Sequence, residues 1–166
     1  MKNLSERFQG LIEDPSSTVP YYSVSEFSMH QLLEFLLSVA GPSQVRVSSF
    51  SLSEVALRSF VRSMESGLIT RLHCLLDLSV RRHRLGLLYF ASGIVTDIGL
   101  AKNHAKIILI HSVSCQWVVV GSANLNENDK IEAGIVSGCP YLYSFFSRSF
   151  NTSFESALKV SRDEFT

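Results

Sequence analysis

The chain has 166 residues, of which 46% are hydrophobic, and its 15 basic side chains balance its 15 acidic ones. This length suits one domain with a sizeable core, and the balanced charge excludes a general electrostatic attraction to nucleic acid or anionic lipid, so any such binding needs a local patch. No apolar run approaches the roughly 20 residues of a transmembrane helix. The N-terminus lacks the apolar core of a signal peptide, and the odd cysteine count argues against a disulfide framework. We therefore predict a cytoplasmic protein without a transmembrane segment.

Helical and strand patterns alternate along the chain. Residues 1–20 are polar and interrupted by prolines, which predicts an N-terminal arm followed by a single domain over 21–166. Capping boxes at Ser28–Gln31 and Ser51–Glu54 mark two helix starts. In chain order the pattern predicts a helix ending at Gly41, a strand at 45–50, a helix ending at Gly67, a strand at 69–76, a helix at 79–91, strands at 94–98, 107–110, 117–120 and 131–136, and a helix from Pro140. This alternation predicts an α/β fold whose mixed, largely parallel sheet carries helices on both faces.

Polar residues with chemical potential surround the two strands at 107–110 and 117–120. His104 and Lys106 precede the first strand and, two positions apart, share a face. Ser122 and Asn124 follow the second strand and share a parity in the same way. If the two strands pair as a hairpin, these four side chains gather at one end of it. Gly121 has no side chain there, which lets the backbone approach a ligand closely.

Each of these residue types has a role in chemistry at phosphorus. A neutral imidazole such as that of His104 is a nucleophile near neutral pH, and its conjugate acid can protonate a leaving oxygen. The Lys106 ammonium can stabilise charge on phosphate oxygens, and the Ser122 hydroxyl and Asn124 amide can donate hydrogen bonds. Glu132, in the next strand, could hold the histidine ring and fix its tautomer. Together the five side chains predict a site that binds and attacks a phosphate.

This pattern resembles one half of the phospholipase D superfamily, the HKD enzymes. Their motif is His-x-Lys, four residues, Asp, a short gap, Gly-Ser-x-Asn and a later Glu; this chain matches it at His104, Lys106, Gly121, Ser122, Asn124 and Glu132. Two departures are visible. His111 stands in place of the Asp, and the gap before Gly121 is longer. Strand parity turns His111 away from His104, as expected of a supporting position, and the longer gap predicts a longer hairpin turn.

The resemblance implies a phospholipase D-like fold and a metal-free, two-step mechanism without a cofactor. Superfamily enzymes need two histidines facing each other across a phosphate, and this chain has one motif. Small members, notably the bacterial nucleases, form the pair by homodimerisation. The resemblance therefore implies a homodimer in which His104 of one subunit forms a phosphohistidine and His104 of the other protonates the leaving alcohol. The expected partners are a second copy of the chain and nucleic acid.

Other features lend themselves to two interpretations. The basic cluster that contains Arg81 and Arg82 could contact a phosphate backbone, or could be an ordinary solvated helix face. Ser49 lies at the end of a predicted parallel strand, at the edge where open α/β sheets hold ligands, and could line the substrate cleft or simply belong to a turn. The remaining histidines are scattered, so no metal site is predicted.

The substrate stays open among several classes. A nuclease is the first choice, because the single-motif members that this chain resembles are mostly nucleases. A phospholipid phosphodiesterase is an alternative, since the chain is apolar and has a net charge of zero. A binding or regulatory module that keeps the fold, with its chemistry weakened by the His111 and turn departures, is another.

Overall fold

A computed structural model of the chain describes residues 2–126 and 130–160. The helices are α1 (Lys2–Arg7), α2 (Gln9–Glu13), α3 (Met29–Ala40), α4 (Glu54–Glu65), α5 (Ser79–His83), α6 (Leu85–Ser92) and α7 (Pro140–Glu155). The strands are β1 (Thr18–Val24), β2 (Ser43–Ser49), β3 (Ile69–Asp77), β4 (Asp97–Ala101), β5 (Ile107–Ser112), β6 (Gln116–Gly121), β7 (Ile131–Ser137) and β8 (Leu158–Val160).

The strands form one eight-stranded sheet in the order β1-β7-β6-β5-β2-β3-β4-β8. Parallel pairing is confined to β2, β3 and β4, and the other neighbours are antiparallel. The mixed α/β class is therefore confirmed, with a smaller parallel part than the prediction implied. The reason is that β5, β6 and β7 follow one another through short connections, which favour antiparallel neighbours.

Helices cover both faces of the sheet, as predicted. Alternate residues of β5 show the division: Ile108 and Ile110 join the core beneath α1–α6, while Leu109 packs with Tyr143 and Phe150 of α7. The capping box predicted at Ser28–Gln31 is also confirmed, since the Ser28 hydroxyl accepts a hydrogen bond from Gln31 N at the start of α3. None of the described helices is both long enough and apolar enough to cross a bilayer.

The N-terminal segment differs from the predicted arm. Leu4, Phe8 and Leu11 are buried in the core, so α1 and α2 are packed against the rest of the fold instead of standing apart. Leu4, Phe8 and Leu11 follow helical spacing, but the polar residues between them make this short apolar stripe difficult to recognise in the sequence. Pro20 lies within β1, which is tolerated because β1 is an edge strand. The division of the chain into domains stays a prediction.

Local boundaries differ at three further places. The cap of α4 is Ser53, whose hydroxyl accepts from Ala56 N, so the capping box predicted at Ser51–Glu54 is wrong. The helix predicted at 79–91 is interrupted at Arg84, whose backbone is not helical. The strand predicted at 94–98 begins only at Asp97. At α4 a neighbouring serine satisfies the same capping pattern.

Candidate active site

The predicted site residues lie in connections at one edge of the sheet. The carboxyl ends of the parallel strands β2, β3 and β4 share this edge. β5 is antiparallel to β2 and therefore begins there, while β6 ends there and β7 begins there. His104 and Lys106 precede β5, Ser122 and Asn124 follow β6, and Glu132 lies at the start of β7. The topology thus brings these residues, from three segments of sequence, to one end of the fold.

The hairpin predicted between the motif strands is present. Ile107 lies opposite Val120, and Gly121 N donates to Lys106 O at 3.3 Å, which ties the two halves of the motif together. His104 precedes the strand, so its orientation is set by the connection between β4 and β5 and not by strand alternation.

The imidazole of His104 contacts two side chains. Lys106 Nζ donates to the carbonyl oxygen of His104 at 2.7 Å and lies 3.2 Å from its Nδ1. The ring of Phe50 lies 5.2 Å from the imidazole between centroids. When the ammonium donates to Nδ1, the neutral imidazole carries its proton on Nε2. Phe50 was not among the predicted site residues, and its contact with His104 is seen only in the folded structure.

Asn103 anchors the connection that carries His104, and sequence reasoning missed it. It is 9% exposed, and its Nδ2 donates to Leu75 O at 2.9 Å and to Ser48 Oγ at 3.0 Å. Its Oδ1 accepts from Ala105 N at 3.0 Å, which closes a turn around His104. A signal was present, because asparagine next to a loop residue often makes such a turn.

Asp77, at the end of β3, accepts a hydrogen bond from the β4–β5 connection that carries His104. Its Oδ2 accepts from Asn103 N at 2.9 Å and its Oδ1 accepts from Ser79 N at 2.9 Å. Burial raises the pKa of Asp77, but the hydrogen bonds from Ser79, Asn103 and Leu78 outweigh it, so the pKa lies below its ordinary value.

Asp77 is therefore expected to stabilise the fold at neutral pH and to lose this contribution in acid. A depressed folded-state pKa gives stability that is present above the unfolded value of 3.8 and lost as pH falls through the folded value. The difference in melting temperature between wild type and Asp77→Asn should consequently be larger at pH 7 than at pH 3. An equal difference at both pH values would contradict this role. Asp14, whose pKa is likewise lowered, by hydrogen bonds from Ser16 far from the site, should show a pH dependence of the same sign in Asp14→Asn.

Ser122 and Glu132 form a second pair at this edge. Ser122 Oγ donates to Glu132 Oε2, and Ala133 N donates to Ser122 Oγ at 3.0 Å. Burial lowers the pKa of Lys106, while the charge of Glu132 opposes that shift. Glu132 is therefore coupled electrostatically to the lysine that contacts His104. Its predicted role in holding the histidine ring stays a prediction.

Asn124 lies beside Ser49, the residue predicted to line the cleft. Ser49 is 1% exposed, and its Oγ lies 3.5 Å from Asn124 Oδ1 and accepts from Leu125 N at 3.4 Å. A bridge between Leu52 and Leu125 joins the same two connections. The Ser49 hydroxyl also donates to Ser51 O at 2.7 Å. A role for Ser49 in lining the substrate cleft stays a prediction.

His111, which stands where the superfamily motif has Asp, lies at the far end of β5 from His104. It is exposed and its Nδ1 lies 3.4 Å from Tyr143 Oη on α7. The length of β5 thus separates His111 from the other motif residues; strand parity does not decide this, because His104 precedes the strand. The longer gap forms the turn between β5 and β6, where Cys115 N donates to Ser112 Oγ at 3.0 Å.

Charged groups outside the motif are less closely tied to the site. Arg81 and Arg82 are exposed on α5, which follows β3 at the same edge of the sheet. A role for them in substrate binding stays a prediction. Within residues 2–126 and 130–160, no group of three or more His, Cys, Asp or Glu side chains is arranged to hold a metal ion.

Comparison with known proteins identifies the fold. No protein-family model and no curated protein sequence matches the chain. Among solved structures, Nuc from Salmonella typhimurium, a phospholipase D family member, matches with a TM-score of 0.67 and 14% identity over 87% of this chain and 98% of that one. NucT from Helicobacter pylori matches with a TM-score of 0.66 and 15% identity over 87% of this chain and 100% of that one. The archaeal chromatin protein TrmBL2 matches with a TM-score of 0.56 and 13% identity over 96% of this chain and 61% of that one.

These matches define the class of fold. The chain has the fold of the phospholipase D superfamily, as the sequence motif predicted. It matches Nuc and NucT over nearly their whole length, and TrmBL2 over 61% of that chain.

Proposed function

We propose that the protein is a metal-independent phosphodiesterase that acts through a phosphohistidine at a homodimer interface, and that its substrate is nucleic acid. The observation that supports this most is the meeting of the imidazole of His104, the ammonium of Lys106 and the Ser122–Glu132 pair at one edge of a phospholipase D fold. An exposed imidazole next to a cation is the arrangement that attack on a phosphate needs.

In the proposed first step, His104 Nε2 attacks phosphorus and the bond to the leaving oxygen breaks. A neutral ring that accepts from Lys106 at Nδ1 has its Nε2 protonated and cannot attack. The incoming phosphate therefore has to draw the ammonium from Nδ1 to its own oxygens, after which the proton moves to Nδ1 and frees the Nε2 lone pair. Substrate binding and activation of the nucleophile are thereby coupled.

The leaving oxygen must receive a proton on the side of phosphorus opposite to the attack. One imidazole cannot stand on both sides, so we assign this proton to His104 of a second subunit. That imidazole then activates the water that hydrolyses the phosphohistidine. Lys106 and Asn124 of both subunits would surround the phosphate oxygens.

An apolar strip beside the site supports a contact between subunits. Tyr22, Val24 and Ile131 are 62%, 57% and 57% exposed. Val24 and Ile131 are cross-strand partners at the end of the β1–β7 pair, next to Glu132. Exposed apolar side chains that adjoin a site requiring a second copy are suited to cover one another in a dimer.

The function is tested by cleavage assays with purified protein in EDTA. We expect cleavage of DNA or RNA at an undiminished rate, because the cations in the proposed chemistry are Lys106 and protonated His104. Plasmid DNA, single-stranded DNA, RNA and phospholipid vesicles should be compared, with His104→Asn as the inactive control. Loss of cleavage in chelator and its recovery with magnesium would contradict the mechanism.

Mixed dimers test the shared site. A heterodimer of wild type and His104→Ala, purified through two different tags, is expected to be at least about 100-fold slower than wild type, because it lacks either nucleophile or acid. Two independent sites would instead leave half of the activity. A protein that is monomeric by light scattering at micromolar concentration, yet fully active, would also contradict the proposal.

A phospholipid substrate is the second candidate, favoured by the surface of α6. Leu85, Tyr89 and Phe90 are 53%, 47% and 38% exposed on this helix, which directly follows the arginines of α5. Exposed apolar and basic groups side by side suit an anionic lipid surface. Faster cleavage of phospholipid vesicles than of any nucleic acid would establish this alternative.

A binding module without strong activity is favoured by two observations. His111 replaces the motif Asp, and TrmBL2, whose solved structure shows a mode of DNA binding, shares the fold. DNA binding without cleavage of any phosphodiester in the same assays would support this interpretation.

A further inference from the structure

Phe50 exposes an aromatic ring beside the imidazole that is proposed as the nucleophile. It directly follows β2, at the edge of the sheet that carries the candidate site. The centroid of its ring lies 5.2 Å from that of His104, and the two ring planes are inclined by 53°. Phe50 is nevertheless 36% exposed. One part of the ring therefore contacts the imidazole, while another part is open to a ligand at the same place.

The backbone that carries Phe50 is fixed on both sides. Ser49 before it and Leu52 after it are buried. The Ser49 hydroxyl donates to Ser51 O at 2.7 Å, and Leu52 forms a bridge with Leu125 of the connection that follows β6. The ring is thus presented by a hydrogen-bonded turn. Because this turn is already ordered, little conformational entropy is lost when a ligand contacts the ring.

Exposed cations lie on other connections at this edge. Lys102 is exposed two residues before His104, and Arg82 is exposed on α5, which follows β3. Neither side chain belongs to an ion pair among residues 2–126 and 130–160. Lys102 and Arg82 can therefore contact phosphates that flank the one at His104.

A flat ring next to the reacting phosphate suits a nucleobase. Every base has a π-face that can stack on an aromatic side chain, and stacking platforms beside basic groups are the usual means of binding single strands. In a duplex both faces of a base are covered by its neighbours, so the base has to leave the stack before it can contact a protein ring. The exposed ring of Phe50 therefore favours an unpaired base.

We propose that the substrate is single-stranded nucleic acid, and that the base next to the cleaved phosphate stacks on Phe50. Phe50 is then a residue that determines specificity for single strands over duplexes. The consequence for cleavage rests on the proposed function, whereas the stacking contact can be measured without cleavage.

The test compares wild type with Phe50→Leu on a single-stranded oligonucleotide that has one phosphodiester, its other linkages being methylphosphonates. We expect kcat/KM to fall by about tenfold in Phe50→Leu, because one base stack is lost. Two further oligonucleotides lack the base on the 5′ or on the 3′ side of the phosphodiester. With one of these two, wild type should be slower by a similar factor and Phe50→Leu should be no slower than wild type.

The matched control is Phe145→Leu. Phe145 is 47% exposed on α7, which covers the other face of the sheet, and its ring contacts Phe146. The same substitution there should leave kcat/KM unchanged for every oligonucleotide. Phe50→Trp, which keeps an aromatic face, should cleave the unmodified single strand at close to the wild-type rate.

A purely structural role of Phe50 gives a different pattern. If the ring only held the imidazole of His104, Phe50→Leu would lower kcat/KM equally for the complete oligonucleotide and for both that lack a base, and this result would overturn the proposal. Wild type should also cleave the same sequence at least about tenfold more slowly when a complementary strand is paired with it. Equal rates on single strand and duplex would likewise overturn the proposal.

Binding separates this proposal from the proposed function. The fluorescence of 2-aminopurine in a single strand decreases when this base stacks. We expect the decrease on binding to His104→Asn and not on binding to His104→Asn/Phe50→Leu. This difference, in a protein whose wild type cleaves no nucleic acid, would support the stacking contact and contradict the proposed function.

The converse result is equally distinct. Cleavage of single strands by wild type, with no difference between the variants in either rate or fluorescence, would support the proposed function and overturn the role of Phe50. Cleavage of phospholipid vesicles in preference to any nucleic acid, equal in wild type and Phe50→Leu, would overturn both.

Discussion

Replacing His104 by alanine is expected to lower the rate of phosphodiester cleavage by about 10⁴-fold or more, because the proposed mechanism uses this residue as nucleophile in one subunit and as acid in the other. The imidazole is exposed, and its contacts are with Lys106 and Phe50, so its removal should leave the core unchanged. Steady-state turnover measures the rate. Rapid-quench labelling should trap acid-labile phosphate on wild type and none on His104→Ala.

His111→Ala is the matched control. His111 is also an exposed histidine on the same hairpin, but it lies at the other end of β5 and contacts Tyr143. We expect His111→Ala to keep its activity and to lose a little stability. An active His104→Ala, or a trapped phosphate on it, would show that another group is the nucleophile. An inactive His111→Ala would indicate that the reaction takes place at the His111 end of β5 and not at the His104 end.

Asn103→Ala is expected to have the second largest effect, on stability and activity together. The substitution removes hydrogen bonds to Leu75 O, Ser48 Oγ and Ala105 N in a buried site, which should cost about 2–4 kcal/mol in the free energy of unfolding. It also releases the turn that orients His104, so kcat should fall by more than 100-fold. Urea denaturation and turnover measure the two effects.

Asn151→Ala serves as the control for Asn103→Ala. Asn151 accepts from Arg46 at 2.8 Å on the surface of α7, away from the site, and its loss should change the free energy of unfolding only slightly. If Asn103→Ala were destabilised but turned over normally, the turn would not orient the imidazole. If it were as stable as wild type, the buried hydrogen bonds would contribute less than their geometry indicates.

The fold near the motif could be predicted because its signals are local. The β-branched runs at 107–110 and 117–120 form strands wherever they pack, and the short spacing between them leaves a hairpin as the simplest connection. The positions of Lys106 and Gly121 at the open end of that hairpin follow directly. The capping box at Ser28 is equally local, and it too is present in the structure.

Contacts between distant segments could not be predicted in this way. Leu4, Phe8 and Leu11 show a helical stripe only in retrospect, because a six-residue and a five-residue helix gain their stability from packing on the core. Asn103 could be recognised as a turn residue, but its bonds to Ser48 and Leu75 depend on strand neighbours that the sequence does not specify. Tyr21 is the extreme case, because its ring lies across Gly134 and Gly121 and its surroundings therefore depend on three strands.

The pairing of β1 with β7 has a consequence for how the protein folds. Thr18 and Ser137, which hydrogen-bond across this pair, are 119 positions apart in the chain. Closing so long a loop carries a large entropic cost, and pairings of this kind slow the search for the native state. During synthesis β1 must therefore stay unpaired until β7 has been made. Glu132 belongs to β7, so the candidate site is complete only after β1 to β6 and the segments between them have been made.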